Sequence, residues 1–312
     1  MTIDIHCHLW MKDIPSRSWW DSIVKVSATL ANRPEEKIRE RLPGWMDTEG
    51  DLLVSDMDEA GIDKSILLPI DYLIAGGAGE VASLEDVHSR FAKAAEKHKD
   101  RLIAFAGIDP RRPEAVSFLE RAVKEWDMKG LKLHPACGFY PDEPCVYRIY
   151  EKCMELGLVV LIHVGPEIYP MSSKYAMPMF IDEVANDFPD LKIIMAHAGG
   201  CYWEESAMIV SNKLNLYVDL SWWQTMHLAL TEEQFYSRVR TLINLAGRSR
   251  VLFGSDWPAM RQVRRLNHAA WADVFKEAPQ RAEEYGISFT EEEIQMIMHD
   301  NAAKLLGIEE ES

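Results

Sequence analysis

The chain has 312 residues, of which 47% are hydrophobic and 27% charged, and its formal net charge is −16. Such a composition supports a large buried core, and the acidic excess repels nucleic acid and anionic membrane at long range. No run approaches the roughly 18 consecutive apolar residues of a membrane span, and no basic region precedes an apolar one at the N-terminus, so a cytoplasmic protein is expected.

The first element is an apolar run at 2–6 that leads into Asp4-Ile5-His6-Cys7-His8. Side chains alternate across a strand, so His6 and His8 share a face and suit one metal ion. Residues 10–48 follow, with Trp10, Trp19, Trp20 and Trp45 among three prolines. They form an insertion, read either as a lid over a site or as a helical excursion packed on the main body or on a second subunit. Further β-rich runs lie at 64–69, 102–107, 129–134, 158–163, 191–196, 215–220 and 250–254, with helical patterns at 83–98, 113–124, 144–156, 180–188 and 232–245. Eight strand–helix units predict an α/β fold, a (β/α)8 barrel of the TIM type, as one domain over 1–312. Runs such as Val159-Val160-Leu161-Ile162 are apolar on both faces, as a parallel sheet under helices requires. Glu291 to Leu306 reads as an amphipathic helix closing the barrel, and the acidic end after it as solvated.

The chemistry-bearing residues sit at strand ends. Asp109, after the third run, reads as a turn residue, while Arg111, Arg112 and, after the eighth run, Arg261 could hold a substrate carboxylate; solvation is the favoured reading for two of the three. The fourth run places Lys132 and His134 on one inward face. His163 ends the fifth run, His197 ends the sixth and Asp256 follows the eighth, so four histidines and an aspartate converge on the face where barrel strands open. Three imidazoles and a carboxylate with an open position describe a zinc-type or manganese-type catalytic site, in which the ion lowers the pKa of a bound water to near 7. Asp256 could touch the ion and take the proton of that water, and His197 could polarise a carbonyl or protonate a leaving group. Phe139, Tyr140, Tyr202, Trp203, Trp222, Trp223 and Trp257 lie on loops after strands and predict an aromatic mouth for a flat cyclic substrate, with Trp257 as a substrate contact; hydrophobic plugging is the alternative. The five cysteines, Cys7, Cys137, Cys145, Cys153 and Cys201, lack CxxC spacing and read as reduced thiols, with packing favoured over a nucleophilic role for Cys137 and Cys201.

Asp-Ile-His-Cys-His on strand one, His163, Ala196-His197-Ala198-Gly199-Gly200 and Gly254-Ser255-Asp256-Trp257-Pro258 together resemble the amidohydrolase superfamily, and more closely its amidohydrolase-related branch, which contains aminocarboxymuconate semialdehyde decarboxylase and several hydrolases. The resemblance implies a distorted barrel with one divalent metal, His6, His8, His163 and Asp256 as ligands, and His197 as the catalytic histidine behind them. Zinc is the expected ion, with manganese, iron or cobalt according to availability. Lys132 is then either a structural cation satisfied by a carboxylate or, as in superfamily members such as dihydroorotase, a carboxylated bridge to a second metal; in that case His197 becomes a ligand of the second ion. His134 becomes a substrate contact or a rim hydrogen-bonding group. A homodimer acting on a small molecule is expected. Hydrolysis of an amide, ester or lactone bond in a small carboxylated ring compound is the first reading, and non-oxidative decarboxylation of an aromatic or muconate-type acid is the alternative. A barrel that binds without turnover fits poorly with a complete ligand set.

Overall fold

The computed structural model describes residues 1–72, 81–262 and 266–308. Eight parallel strands follow one another around the barrel: β1 (Ile3–Cys7), β2 (Lys64–Leu67), β3 (Leu102–Ala104, continuing as Ala106–Gly107), β4 (Gly130–Leu133), β5 (Val159–Ile162), β6 (Ile193–Met195), β7 (Leu216–Asp219) and β8 (Val251–Leu252). The two parts of β3 pair with β2 and β4 respectively, so Phe105 is the point at which one sheet passes into the next. The ring closes between β8 and β1, where Ile5 N donates to Phe253 O, Asp256 N to His6 O, and Cys7 bridges Trp257. Each expected run therefore contains a strand.

Helices cover the outside. Leu84–Lys97, Ala115–Trp126, Pro144–Leu156, Met179–Asp187 and Glu232–Ala246 match the periodic segments, and Asp51–Ala60, Trp203–Asn212 and His268–Lys276 complete the alternation. On β5 the period of two is plain: Val160 and Ile162 join the large cluster between strands and helices, while Val159 and Leu161 join a smaller one with Ile3, Ile5, Ile66 and Ile194. Ala302 and Ala303 complete that smaller cluster from the C-terminal helical segment, and Phe253 N donates to Ile297 O. That segment closes the barrel as expected; the end of its acidic tail, residues 309–312, lies outside the described residues.

The insertion packs down rather than standing away. Trp10, Trp19 and Trp20 meet edge to face with centroids 4.9 to 5.8 Å apart, and all three are buried with Trp45 in the large cluster. Trp19 also reaches Tyr72 after β2, at 5.9 Å. No helix among the described residues is long and apolar enough to cross a membrane.

His88 shows what burial does to a structural imidazole. Its Nδ1 donates to Leu84 O at 2.7 Å and its Nε2 accepts from Gly107 N at 3.0 Å, so the neutral ring ties a helix to β3. Burial lowers its pKa from 6.5 to about 4. The unfolded chain binds that proton first, so the stability this ring gives is complete above pH 6.5 and is lost as pH falls through about 4. We expect its acid limb to carry about 1.4 kcal/mol per pH unit, and about 3 kcal/mol in all. Urea melts of wild type and His88→Asn across this window test it: the variant starts less stable but shows a slope shallower by one proton, and parallel slopes would refute the assignment.

Candidate metal centre

The strand ends deliver their side chains to one place. Strict alternation does not bring His6 there, because Ile5 already faces the interior cluster. The register of β1 against β2 slips between Asp4 and Cys7, a local irregularity of the kind that re-aims side chains near active sites. Asp4 turns away to accept from Ser255 N and to pair with His268 Nε2, which clamps the end of β8 to β1.

His6 Nδ1 lies 3.0 Å from Asp219 Oδ2, and His8 Nδ1 lies 2.6 Å from the Leu68 carbonyl. Each partner is an acceptor, so both Nδ1 atoms carry the proton and both Nε2 atoms present lone pairs. Those Nε2 atoms face each other at 3.2 Å, with Asp256 Oδ1 at 3.2 Å from His8 and 3.5 Å from His6. Three acceptors converging on one point repel unless positive charge stands among them. Lys132 Nζ, 3.2 Å from His6 Nε2, supplies some of it. Two nitrogen ligands of one ion with bonds of about 2.1 Å lie about 3 Å apart at right angles, so this donor set fits a divalent cation.

His197 stands beside it, its ring centroid 4.8 Å from that of His6. Its donor atom lies within 4.8 Å of those of His6 and Asp256. His197 Nδ1 is 2.8 Å from Ser221 Oγ, which in turn donates to Asp219 Oδ1. His197 Nε2 faces His163 Nδ1 at 3.1 Å, and this contact connects His163 to the cluster. The backbone here is strained. His197, Ala198, Gly199 and Gly200 have φ of 58, 43, 80 and 59°, and Asp256 has φ 59°. Left-handed non-glycine residues persist only where the surroundings over-determine them. Asp219 provides part of that: its Oδ1 accepts from the backbone N–H of both His197 and Ser221 at 3.0 Å.

Burial holds His6, His163 and His197 below the usual histidine range, which keeps them neutral and available as ligands. Burial pushes the Asp256 carboxyl up, but the His8 contact and the nearby His6 and His197 rings outweigh it and bring the pKa down to about 2. Burial also lowers Lys132 to about 8, against the pull of Asp219, Asp256 and Glu167.

His6, His8, His197 and Asp256 thus meet directly, and His163 meets them through His197. His134 is buried at the edge of the centre and stacks on His163 at 4.3 Å. Trp257 is read from the sequence as a substrate contact, but it is fully buried and its indole N–H donates to Asp56 at 2.8 Å. Phe139 and Trp223 are likewise buried, so much of the expected aromatic mouth is packing. The three arginines are each paired with an acid, although Arg111 and Arg261 stay partly exposed: Arg111 pairs with Asp109, Arg112 with Asp71 and Arg261 with Asp56. Lys132 has no carboxylate within salt-bridge distance among the described residues, so no acid pairs with it directly, while Asp219, Asp256 and Glu167 act on it from farther away. All five cysteines are free thiols, and burial pushes Cys137 well above the ordinary range. Asp219, Ser221 and Glu167 escape the sequence reading. The one signal for Asp219 is its place at the end of an apolar run, where His163 and His197 also sit.

A family model described as Amidohydrolase matches residues 3–308. A 2-amino-3-carboxymuconate-6-semialdehyde decarboxylase of Dictyostelium discoideum is 21% identical over 302 residues, covering 83% of this chain and 82% of its own. Among solved structures, an uncharacterised TIM-barrel protein of Bordetella bronchiseptica superposes with a TM-score of 0.72 at 19% identity, covering 98% of each chain. A dihydroxybenzoic acid decarboxylase of Polaromonas sp. JS666, holding manganese and the inhibitor 2-nitroresorcinol, superposes with a TM-score of 0.69 at 21% identity over 98% of this chain and 97% of its own.

Proposed function

This chain belongs to the amidohydrolase family of metal-dependent enzymes, and on that premise we propose that it catalyses the non-oxidative decarboxylation of a small aromatic or muconate-type acid. One observation carries this reading beyond the family. The arginines at the rim are each committed to an aspartate, whereas Lys132, deep in the barrel beside His6, has no acidic partner within 4 Å among the described residues. A substrate carboxylate is therefore drawn to the bottom of the site, where it is the reacting group, and not to the rim, where it would be a spectator. The similarity to the Dictyostelium decarboxylase points the same way.

His6, His8, His163 Nδ1 and Asp256 would hold the cation. Bound there, a divalent ion supplies Lewis-acid polarisation of the substrate. Lys132 orients the carboxylate. With Nδ1 donating to Ser221, His197 has its basic nitrogen at Nε2. That nitrogen takes up a proton from solvent and gives it to the carbon from which carbon dioxide leaves, and the Ser221–Asp219 pair stabilises the imidazolium between these events. Hydrolysis of a lactone or amide is the second reading, favoured by Asp256, which stays ionised at neutral pH in the position of a base for water.

Incubation of the manganese-loaded and zinc-loaded enzyme with carboxyl-labelled hydroxy- and aminobenzoates, muconates and carboxylated lactones in ¹⁸O-water separates the two. We expect labelled carbon dioxide and one solvent proton in the product. Incorporation of ¹⁸O into a ring-opened acid, without carbon dioxide, would replace this reading with the hydrolytic one.

A further inference from the structure

A second group of donor atoms lies on the far side of His163. Ligand atoms of His134, His163 and Glu167 all fall within 4.8 Å of one another. His134 Nε2 is 3.4 Å and His163 Nε2 3.8 Å from the same oxygen, Glu167 Oε1. The two rings are nearly parallel, at 18°, so both present that nitrogen to one carboxylate. These separations exceed good hydrogen-bond lengths, and His163 Nε2 is buried with no hydrogen-bond partner, in a residue only 4% exposed. The carboxylate is set in place: Oε2 accepts from Ile168 N at 2.9 Å, and Glu167 N donates to Ser173 Oγ at 2.9 Å, which leaves Oε1 aimed at the imidazoles. His163 Nδ1 faces His197, so the ring has a nitrogen on each side, and holding a cation on both makes it an imidazolate bridge that has released its remaining ring proton to solvent.

We propose that His134, Glu167 and Nε2 of His163 form a second cation site, adjoining the principal centre and taking a divalent transition metal such as zinc or manganese. Mixed imidazole and carboxylate donors suit those ions. Two ligands of a tetrahedral ion with bonds of about 2.1 Å lie about 3.4 Å apart, close to the separations seen. The site goes beyond the proposed reaction and rests on it only in sharing His163. Its bland competitor is Glu167 as an acceptor that merely orients the two rings.

Counting bound ions decides between them. Metal-free protein is dialysed against zinc alone and against manganese alone, with elemental analysis for equivalents per chain and thermal melts to check folding. We expect two equivalents in wild type, one in Glu167→Gln and one in His134→Asn, which serves as an independent variant should the first fail to fold. Asp256→Asn should lose the other equivalent. One equivalent in wild type, lost in Asp256→Asn and kept in Glu167→Gln, would overturn the second site and leave the principal centre standing. One equivalent kept in Asp256→Asn and lost in Glu167→Gln would uphold the second site and remove the principal one. Two equivalents in both wild type and Glu167→Gln, with one in Lys132→Met, would place the additional ion at Lys132 and overturn the proposal.

Discussion

Asp256→Asn is expected to lower turnover by about 10³-fold or more while leaving the fold intact. Asparagine is the right probe because Asp256 has φ 59°, a conformation in which Asn and Asp are the best tolerated non-glycine residues. The backbone bonds that seat the residue, Asp256 N to His6 O at 2.8 Å and Ala259 N to Asp256 O at 2.9 Å, do not involve the side chain. What changes is the charge. The carboxylate oxygen at 3.2 Å from His8 and 3.5 Å from His6 is the one anion in direct contact with both Nε2 atoms among the described residues. An amide there either keeps the convergence of acceptors with less negative charge or turns an N–H toward the lone pairs. Either outcome weakens cation binding, and neither leaves a base. Steady-state rates, bound metal and thermal melts should be measured together. Loss of both rate and metal makes Asp256 a ligand, and loss of rate with metal retained makes it a proton carrier. A rate within tenfold of wild type, with metal bound, would refute both roles.

The residues that chemistry needs were legible where they sit at the ends of apolar runs. His163, His197 and Asp256 each end a β-rich segment, and in a parallel barrel all such ends lie on one face. The strands and five helices were legible for the same reason, because period and length carry them. The residues that orient the site were not. Asp219 touches His6 across 213 positions of sequence, and only closure of β7, β8 and β1 makes them neighbours. Among fifty acidic residues, its place at the end of an apolar run is the one local mark, and it does not say which side chain Asp219 orients. The rim arginines illustrate the same limit from the other side. From sequence, Arg112 and Arg261 could hold a carboxylate or stand solvated, with solvation favoured for two of the three rim arginines, and the fold pairs them instead with Asp71 and Asp56, 41 and 205 positions away. Trp257 reads as mouth because it follows a strand, yet the chain turns its indole toward Asp56. In His6 the expected face was reached by an unexpected route, a slipped register where plain alternation had been assumed.

Lys132→Met is expected to stabilise the metal-free protein by about 3 kcal/mol at pH 7 and to reduce turnover by at least about 10²-fold. Lys132 is buried, its one hydrogen-bond partner among the described residues is His6 Nε2, and burial lowers its pKa from 10.5 to about 8. The sign follows from where the proton binds. Between pH 8 and 10.5 the unfolded chain holds a proton that the folded one has released, so stability rises as pH rises through that window and the full cost is present below it. Methionine keeps an unbranched chain of similar size and removes the charge. The gain should raise Tm by about 5 °C and shrink to less than about 1 kcal/mol at pH 10, as urea melts of both metal-free proteins at the two pH values will show. A difference that does not change with pH would mean that packing, and not charge, sets it. On the proposed decarboxylation, an ammonium that costs the fold this much, 3.2 Å from His6 Nε2, is kept because it binds the acid. On that reading the same substitution that stabilises the apoprotein removes the cation that would position the carboxylate for loss, so the two effects are expected together.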